Sequence, residues 1–145
     1  MADFEIDDSQ IAEFIRNLDL LQQEFPNQAR AFMRRIGDKA KLKVKSVAGS
    51  SVPEDTGDYM RSITRGKVWV EDGSTYNVRV YPKQKLAWYA LLLEYGWIHT
   101  GHKPDKKKGQ FVPGFHVFER ATQQFQLEFY ATAEAEFAKI IDKLP

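Results

Sequence analysis

The sequence predicts an α+β fold in which long N- and C-terminal helices pack on a small antiparallel β-hairpin sheet. Two observations carry this reading. Apolar residues recur at spacings of three and four over both ends of the chain, the mark of amphipathic helices. Near the middle, two short stretches alternate with period two on either side of Asp72-Gly73-Ser74, a turn signal.

The first helix starts at Asp7-Asp8-Ser9, whose side chains can accept hydrogen bonds from the free N–H groups of a helix start. Ile11, Phe14, Ile15, Leu18, Leu21 and Phe25 form its stripe. Pro26 ends or kinks it, and then suits the first turn of a second helix. That helix, with Ala29, Phe32, Met33, Ile36, Ala40, Val44 and Val47 on one face, is expected to stop at Gly49-Ser50-Ser51. Over residues 26–47 it would be roughly 33 Å long. Residues 49–57 read as a loop, and Thr56 can cap a short helix over Asp58–Ile63. A capped turn and a contact site are both open readings there.

Lys67–Glu71 and Thr75–Tyr81 read as the two strands of a hairpin, with Val68 and Val70 sharing a face with Tyr76, Val78 and Val80. An isolated hairpin is marginal in water, so it needs another strand or the helices. Leu86–Tyr95 is apolar almost throughout and reads as a short buried helix, although periodicity does not separate it from a core strand. Gly96 stands where a helix C-terminus wants positive φ. Trp97–Gly109 carries Lys103, Lys106, Lys107 and Lys108 and reads as an exposed flexible loop. The last helix begins near Phe115 and runs to about Lys143, with Phe118, Ala121, Phe125, Phe129, Ala133, Phe137, Ile140 and Leu144 as its stripe. The whole is expected to be one domain over 1–145, with 1–25 an N-terminal helical segment and 97–113 an exposed loop.

A net charge of +1 carries no global nucleic-acid signature, but its distribution is uneven. Residues 1–24 hold seven acids against Arg16 alone, and residues 30–45 hold seven bases, among them Arg34 and Arg35, against Asp38 alone. Two solvated helix faces would account for this. So would contact between the acidic segment of one copy and the basic segment of the next, which would set register in a head-to-tail ring. No run approaches the ~18 apolar residues of a membrane span. The acidic N-terminus lacks an apolar signal core, so export is not expected.

Candidate chemistry is sparse. With no cysteine, disulfides, thiolate metal sites and cysteine nucleophiles are excluded. His99, His102 and His116 with Glu119 have spacings that could surround zinc, but the first two sit in a Gly/Lys-rich loop without a rigid element, so no metal and no cofactor is expected. Glu94 within an apolar segment could be a catalytic acid, or a hydrogen-bond acceptor for Tyr89 and Tyr95. The lysine-rich loop and the basic second helix, with Trp88, Tyr89, Tyr95 and Trp97 able to stack on bases, raise a DNA-binding alternative. Most of these aromatic residues fall at core-like spacings.

Three motifs remain: Thr56-Gly57-Asp58-Tyr59-Met60-Arg61-Ser62-Ile63, Tyr89-Ala90-Leu91-Leu92-Leu93-Glu94-Tyr95-Gly96-Trp97, and Pro113-Gly114-Phe115-His116-Val117-Phe118. In this order, between two helical patterns, they resemble the small tail-component proteins of long-tailed bacteriophages, which include neck, head–tail joining and tail-completion proteins. The resemblance covers roughly residues 28–130, and Trp97 departs from the small residue or histidine common after the EYG element. It implies a structural virion subunit, not an enzyme, that assembles as a homo-oligomeric ring, with a hexamer expected. Its neighbours would be connector or head-closure proteins and tail terminator or tail tube proteins, with passive contact to DNA in the channel. A DNA-associated phage accessory protein is the alternative. Interface roles are expected for Thr56, Gly57, Tyr59, Ser62, Trp97, Arg34 and Arg35. Tyr89, Glu94, Tyr95, Gly96, Phe115 and Phe118 are expected to hold the last helix to the sheet.

Overall fold

The computed structural model describes residues 8–53, 57–98 and 109–144. Helix α1 (Asp8–Glu24) and helix α2 (Pro26–Ser51) meet at Phe25, whose φ of −137° and ψ of 69° break the helical path just before Pro26. α2 runs through Gly49-Ser50-Ser51 rather than stopping there. It ends where Val52 turns extended ahead of Pro53, because a residue before proline is pushed out of helical angles while a glycine only weakens a helix.

Helix α3 (Asp58–Ser62) leads directly into strand β1 (Ile63–Arg65), and β2 (Trp69–Glu71), β3 (Thr75–Asn77) and β4 (Val80–Pro82) follow. Helix α4 (Ala90–Tyr95) is continuous with β5 (Gly96–Ile98), and β6 (Phe111–Pro113) precedes helix α5 (Val117–Ile141). The fold is α+β as expected, but its strands form three antiparallel two-stranded ladders, β1–β4, β2–β3 and β5–β6. The expected strand 75–81 is divided between two of them: Tyr76 faces Val70, whereas Tyr81 faces Thr64. The turn at Asp72-Gly73 has positive φ at both residues, the hand that suits a twisted hairpin. The stretch 97–113 is bounded by paired strands, with Trp97 opposite Val112 and Ile98 opposite Phe111.

α2 and α5 run antiparallel, with a core cluster at each end of α2. Ala29, Phe32 and Ile36 pack with Leu21 of α1 and with Ala133, Phe137 and Ile140 of α5. Phe137 meets Phe14 and Phe32 edge to face at 5.5 and 6.0 Å. Toward the other end, Val44, Val47 and Ala48 pack with Tyr59, Ile63, Ala87, Ala90, Val117 and Ala121.

Leu86–Tyr95 is not the buried segment the sequence predicts. Ala87, Ala90 and Glu94 are buried, but Leu86, Trp88, Leu91, Leu92 and Tyr95 are exposed, Trp88 to 76%.

Candidate functional site

The second and third motifs meet in one structure, a clasp that fixes the start of α5. Hairpin β5–β6 brings Pro113 opposite Gly96, so the chain entering α5 lies against the chain leaving α4. Phe115 N–H donates to the Leu93 carbonyl at 2.7 Å and His116 N–H to that of Glu94 at 3.1 Å. Such proximity leaves no room for side chains at two glycines. A Cβ on Gly96 would lie 2.4 Å from the Val112 oxygen, and one on Gly114 would lie 2.3 Å from the Glu94 oxygen. Gly96 also has φ of 93° with ψ of 178°, a backbone region open essentially to glycine.

Glu94 completes the clasp. Its side chain is buried and accepts from the first turn of α5: Phe118 N–H donates to Oε1 at 2.9 Å and Glu119 N–H to Oε2 at 3.1 Å. These are the second and third helical residues, the N–H groups that a capping side chain normally serves. His116, in the capping position itself, adopts left-handed angles (φ 51°, ψ 46°) and supplies no side-chain cap. A carboxylate from a distant element therefore takes over the cap and meets the positive end of the helix dipole. Arg120 ties the same corner to α2, donating from Nε to the Phe115 carbonyl at 3.0 Å and from Nη2 to Ser51 Oγ at 2.6 Å.

The remaining predicted residues are placed unevenly around this clasp. Phe115 and Trp97, with Tyr59, Tyr89 and Leu93, line a largely apolar cavity of about 560 Å³. The Tyr59 hydroxyl is buried without a hydrogen-bond partner among the described residues, and burial, then the charge of Glu94, pushes its pKa up to about 12. Gly57, at φ 77°, starts α3 with no side-chain cap, while buried Ser62 donates to the Tyr59 carbonyl and accepts Lys83 N–H on its own carbonyl. Tyr95 is 65% exposed, so it does not share the burial expected of Leu86–Tyr95. Thr56, His99, His102, Lys103, Lys106, Lys107 and Lys108 lie outside the described residues. His116 Nδ1 stands 3.1 Å from Glu119 Oε2, and no metal-holding cluster occurs among the described residues.

Arg34 and Arg35 differ in kind. Arg34 is exposed, but Arg35 Nη1 donates to Glu136 Oε2 at 3.3 Å, and Lys139 and Lys39 Nζ stand 3.3 and 3.7 Å from Oε1 of the same carboxylate. Lys43 pairs with Glu128 at 3.0 Å. Part of the basic face of α2 is thus engaged by α5 of the same chain. Burial pushes the Glu136 carboxyl up, but the bonds and charges of Lys139, Arg35 and Lys39 outweigh it and hold the group below its usual range. Glu136 was missed although Ala133, Glu136, Phe137 and Ile140 share helical spacing, the signal of a carboxylate on a buried stripe.

A helix pinned by a borrowed cap thus lies beside a stripe of exposed apolar residues. The chain belongs to the HK97-gp10-like family, whose family model, described as "Bacteriophage HK97-gp10, putative tail-component", matches residues 12–96. That span runs from α1 to Gly96, taking in the first motif and the second up to Gly96. No curated protein and no solved structure matches the chain. Membership makes this a member of a phage tail-component family and implies a place in the virion. No helix among the described residues is long and apolar enough to cross a membrane.

Proposed function

We propose that the chain is a neck or tail-completion subunit that assembles as a ring at the head–tail junction or the head-proximal end of the tail. Family membership supports a tail component. The observation that favours a subunit in contact with others is the exposed stripe of Trp88, Leu91, Leu92 and Tyr95. Soluble monomers rarely leave contiguous apolar patches of several hundred Å² uncovered. The partners in this reading are further copies of the chain, a hexamer being the expected ring, then connector or head-closure proteins and tail terminator or tail tube proteins. The subunit works by geometry: repeated contacts close a ring that has no free ends. Assembly takes place in the host cytoplasm, and contact with DNA in the channel is passive.

Labelling the protein in intact particles and imaging them tests this location. Label at the head–tail junction or upper tail, together with unjoined heads and tails when the protein is withheld, is the expected result. Label at the distal tail would contradict it. Salt-dependent DNA binding by the isolated protein would favour the DNA-associated accessory alternative.

A further inference from the structure

The strands from Ile63 to Pro82 and the turn after them carry a positive charge that nothing balances locally. Between Ile63 and Trp88 stand five bases and two acids, in a chain whose net charge is only +1. Arg65 pairs with Asp38 at 2.8 Å, and Glu71 accepts from Trp69 Nε1 at 3.0 Å. The other four bases, Lys67, Arg79, Lys83 and Lys85, are exposed, and no described carboxylate pairs with any of them.

A local framework holds the middle of this face. Gly66 N–H donates to the Arg79 carbonyl at 2.8 Å, which extends the pairing of β1 with β4 by one residue. A Cβ on Gly66 would stand 3.2 Å from the Tyr81 ring and 3.8 Å from Arg79 Cγ, so the glycine gives these two side chains a bare floor to cross. The Arg79 guanidinium lies over the Tyr81 ring, 4.5 Å from its centre. Stacking fixes the cation by its flat face and leaves the N–H groups of its edge free to donate outward. Two neighbouring surface depressions share Arg79 and Tyr81. Lys67 and Trp69 line one, Lys83 and Lys85 line the other, and no acidic side chain among the described residues lines either.

We propose that this face binds the phosphate backbone of double-stranded DNA, with Arg79 at its centre and Lys67, Lys83 and Lys85 around it. Four uncompensated cations suit a polyanion, and a planar guanidinium with a free edge suits the oxygens of a phosphate. Lysine is depleted in the cores of protein interfaces, which argues against a protein as the occupant. Contact is with backbone and carries no base reading, so it gives residues to the passive channel contact described above. The proposal rests on the ring-subunit reading, in which copies surround the DNA, and names the face turned toward it.

Binding of a short mixed-sequence DNA duplex to the intact protein, with native mass measured on the same sample, tests the proposal. The parent should run as a closed oligomer and bind the duplex, and four phosphate contacts should cost roughly a hundredfold in affinity from about 50 to 200 mM salt. Lys67→Gln/Arg79→Gln should weaken binding about tenfold at low salt and flatten the salt slope by about two. Lys41→Gln/Lys45→Gln removes the same charge from α2 and should change affinity less than about twofold. Arg79→Lys keeps the charge but loses the stacked fork, and should bind between the parent and the Lys67→Gln/Arg79→Gln protein. Melting of all four proteins should coincide, since none of the replaced side chains makes an ion pair among the described residues. An oligomer that ignores the duplex, or that loses affinity equally with either pair removed, leaves the ring standing and overturns this face. Tighter binding of poly-glutamate than of DNA would assign the face to an acidic protein and overturn the proposal as well. A single chain that binds DNA through Lys67 and Arg79 keeps the face and overturns the ring, and a single chain that binds nothing overturns both.

Discussion

Glu94 joins three parts of the molecule: it stands in the last turn of α4, lies beside Tyr59 and caps α5. Replacing it with alanine removes the acceptor of two N–H groups in a buried corner, a loss expected to cost about 2–3 kcal/mol. Glu94→Gln should cost less, since one amide oxygen can still accept. Denaturant unfolding checks the size of the effect. Amide exchange should show faster opening at Phe118 and Glu119, whereas unchanged protection there would mean that the cap does not hold α5. Gly96→Val and Gly114→Ala should each lose about 3 kcal/mol or more, because a side chain at either site meets backbone that cannot move aside. A polar role for Glu94 could be read in the sequence, but its partners could not. They are backbone groups of a helix some two dozen residues further on, which no side-chain pattern announces.

The ion cluster at Glu136 separates two neighbouring arginines. Arg35→Glu places a second carboxylate against a buried one and should destabilise by about 3–5 kcal/mol, whereas Arg34→Glu on the exposed side should stay within about 0.5 kcal/mol of the parent. Equal melting of the two variants would contradict this account of the cluster. The folded pKa of Glu136 lies below the ordinary value of 4.5, so the unfolded chain takes up this proton first on acidification. Its stabilising contribution is complete above the ordinary glutamate range and is lost as pH falls through the depressed folded value. In Glu136→Gln that part of the acid dependence should disappear.

At the scale of elements, α1, α2 and α5 were legible because long amphipathic stripes average over many residues. Among the short elements, α3 and the β2–β3 hairpin were legible, and β1 was not. β1 is three residues long and shows no period, so the ladder of Ile63–Arg65 with Val80–Pro82 could not be read, and the strand from Thr75 appeared continuous. α4 misled for a different reason. A segment with one buried and one exposed apolar face looks, as a string, like a segment buried all round. Substituting Trp88→Ser and Leu91→Ser should leave the isolated fold within about 0.5 kcal/mol of the parent and reduce binding of an apolar fluorescent dye. A large drop in melting temperature would instead mean that these residues belong to the core.

For the whole molecule, a near-neutral chain with separated acidic and basic segments can self-associate without being driven by a large net charge. The sequence pointed to charge complementarity between copies and placed its basic half on α2. The structure engages Arg35, Lys39 and Lys43 there with α5 of the same chain. The family motifs carried the class of protein, since a clasp needs glycines and a glutamate at fixed places. They also suggested interface roles for Thr56, Gly57, Tyr59, Ser62 and Trp97, but an interface is a property of surfaces that only the folded chain brings together. The central claim is that this chain builds a closed ring. Electron micrographs of the purified protein, averaged into classes, test it most directly. Annular particles of uniform diameter with cyclic symmetry are the predicted result, while uniformly single-chain particles or open filaments of variable length would contradict it.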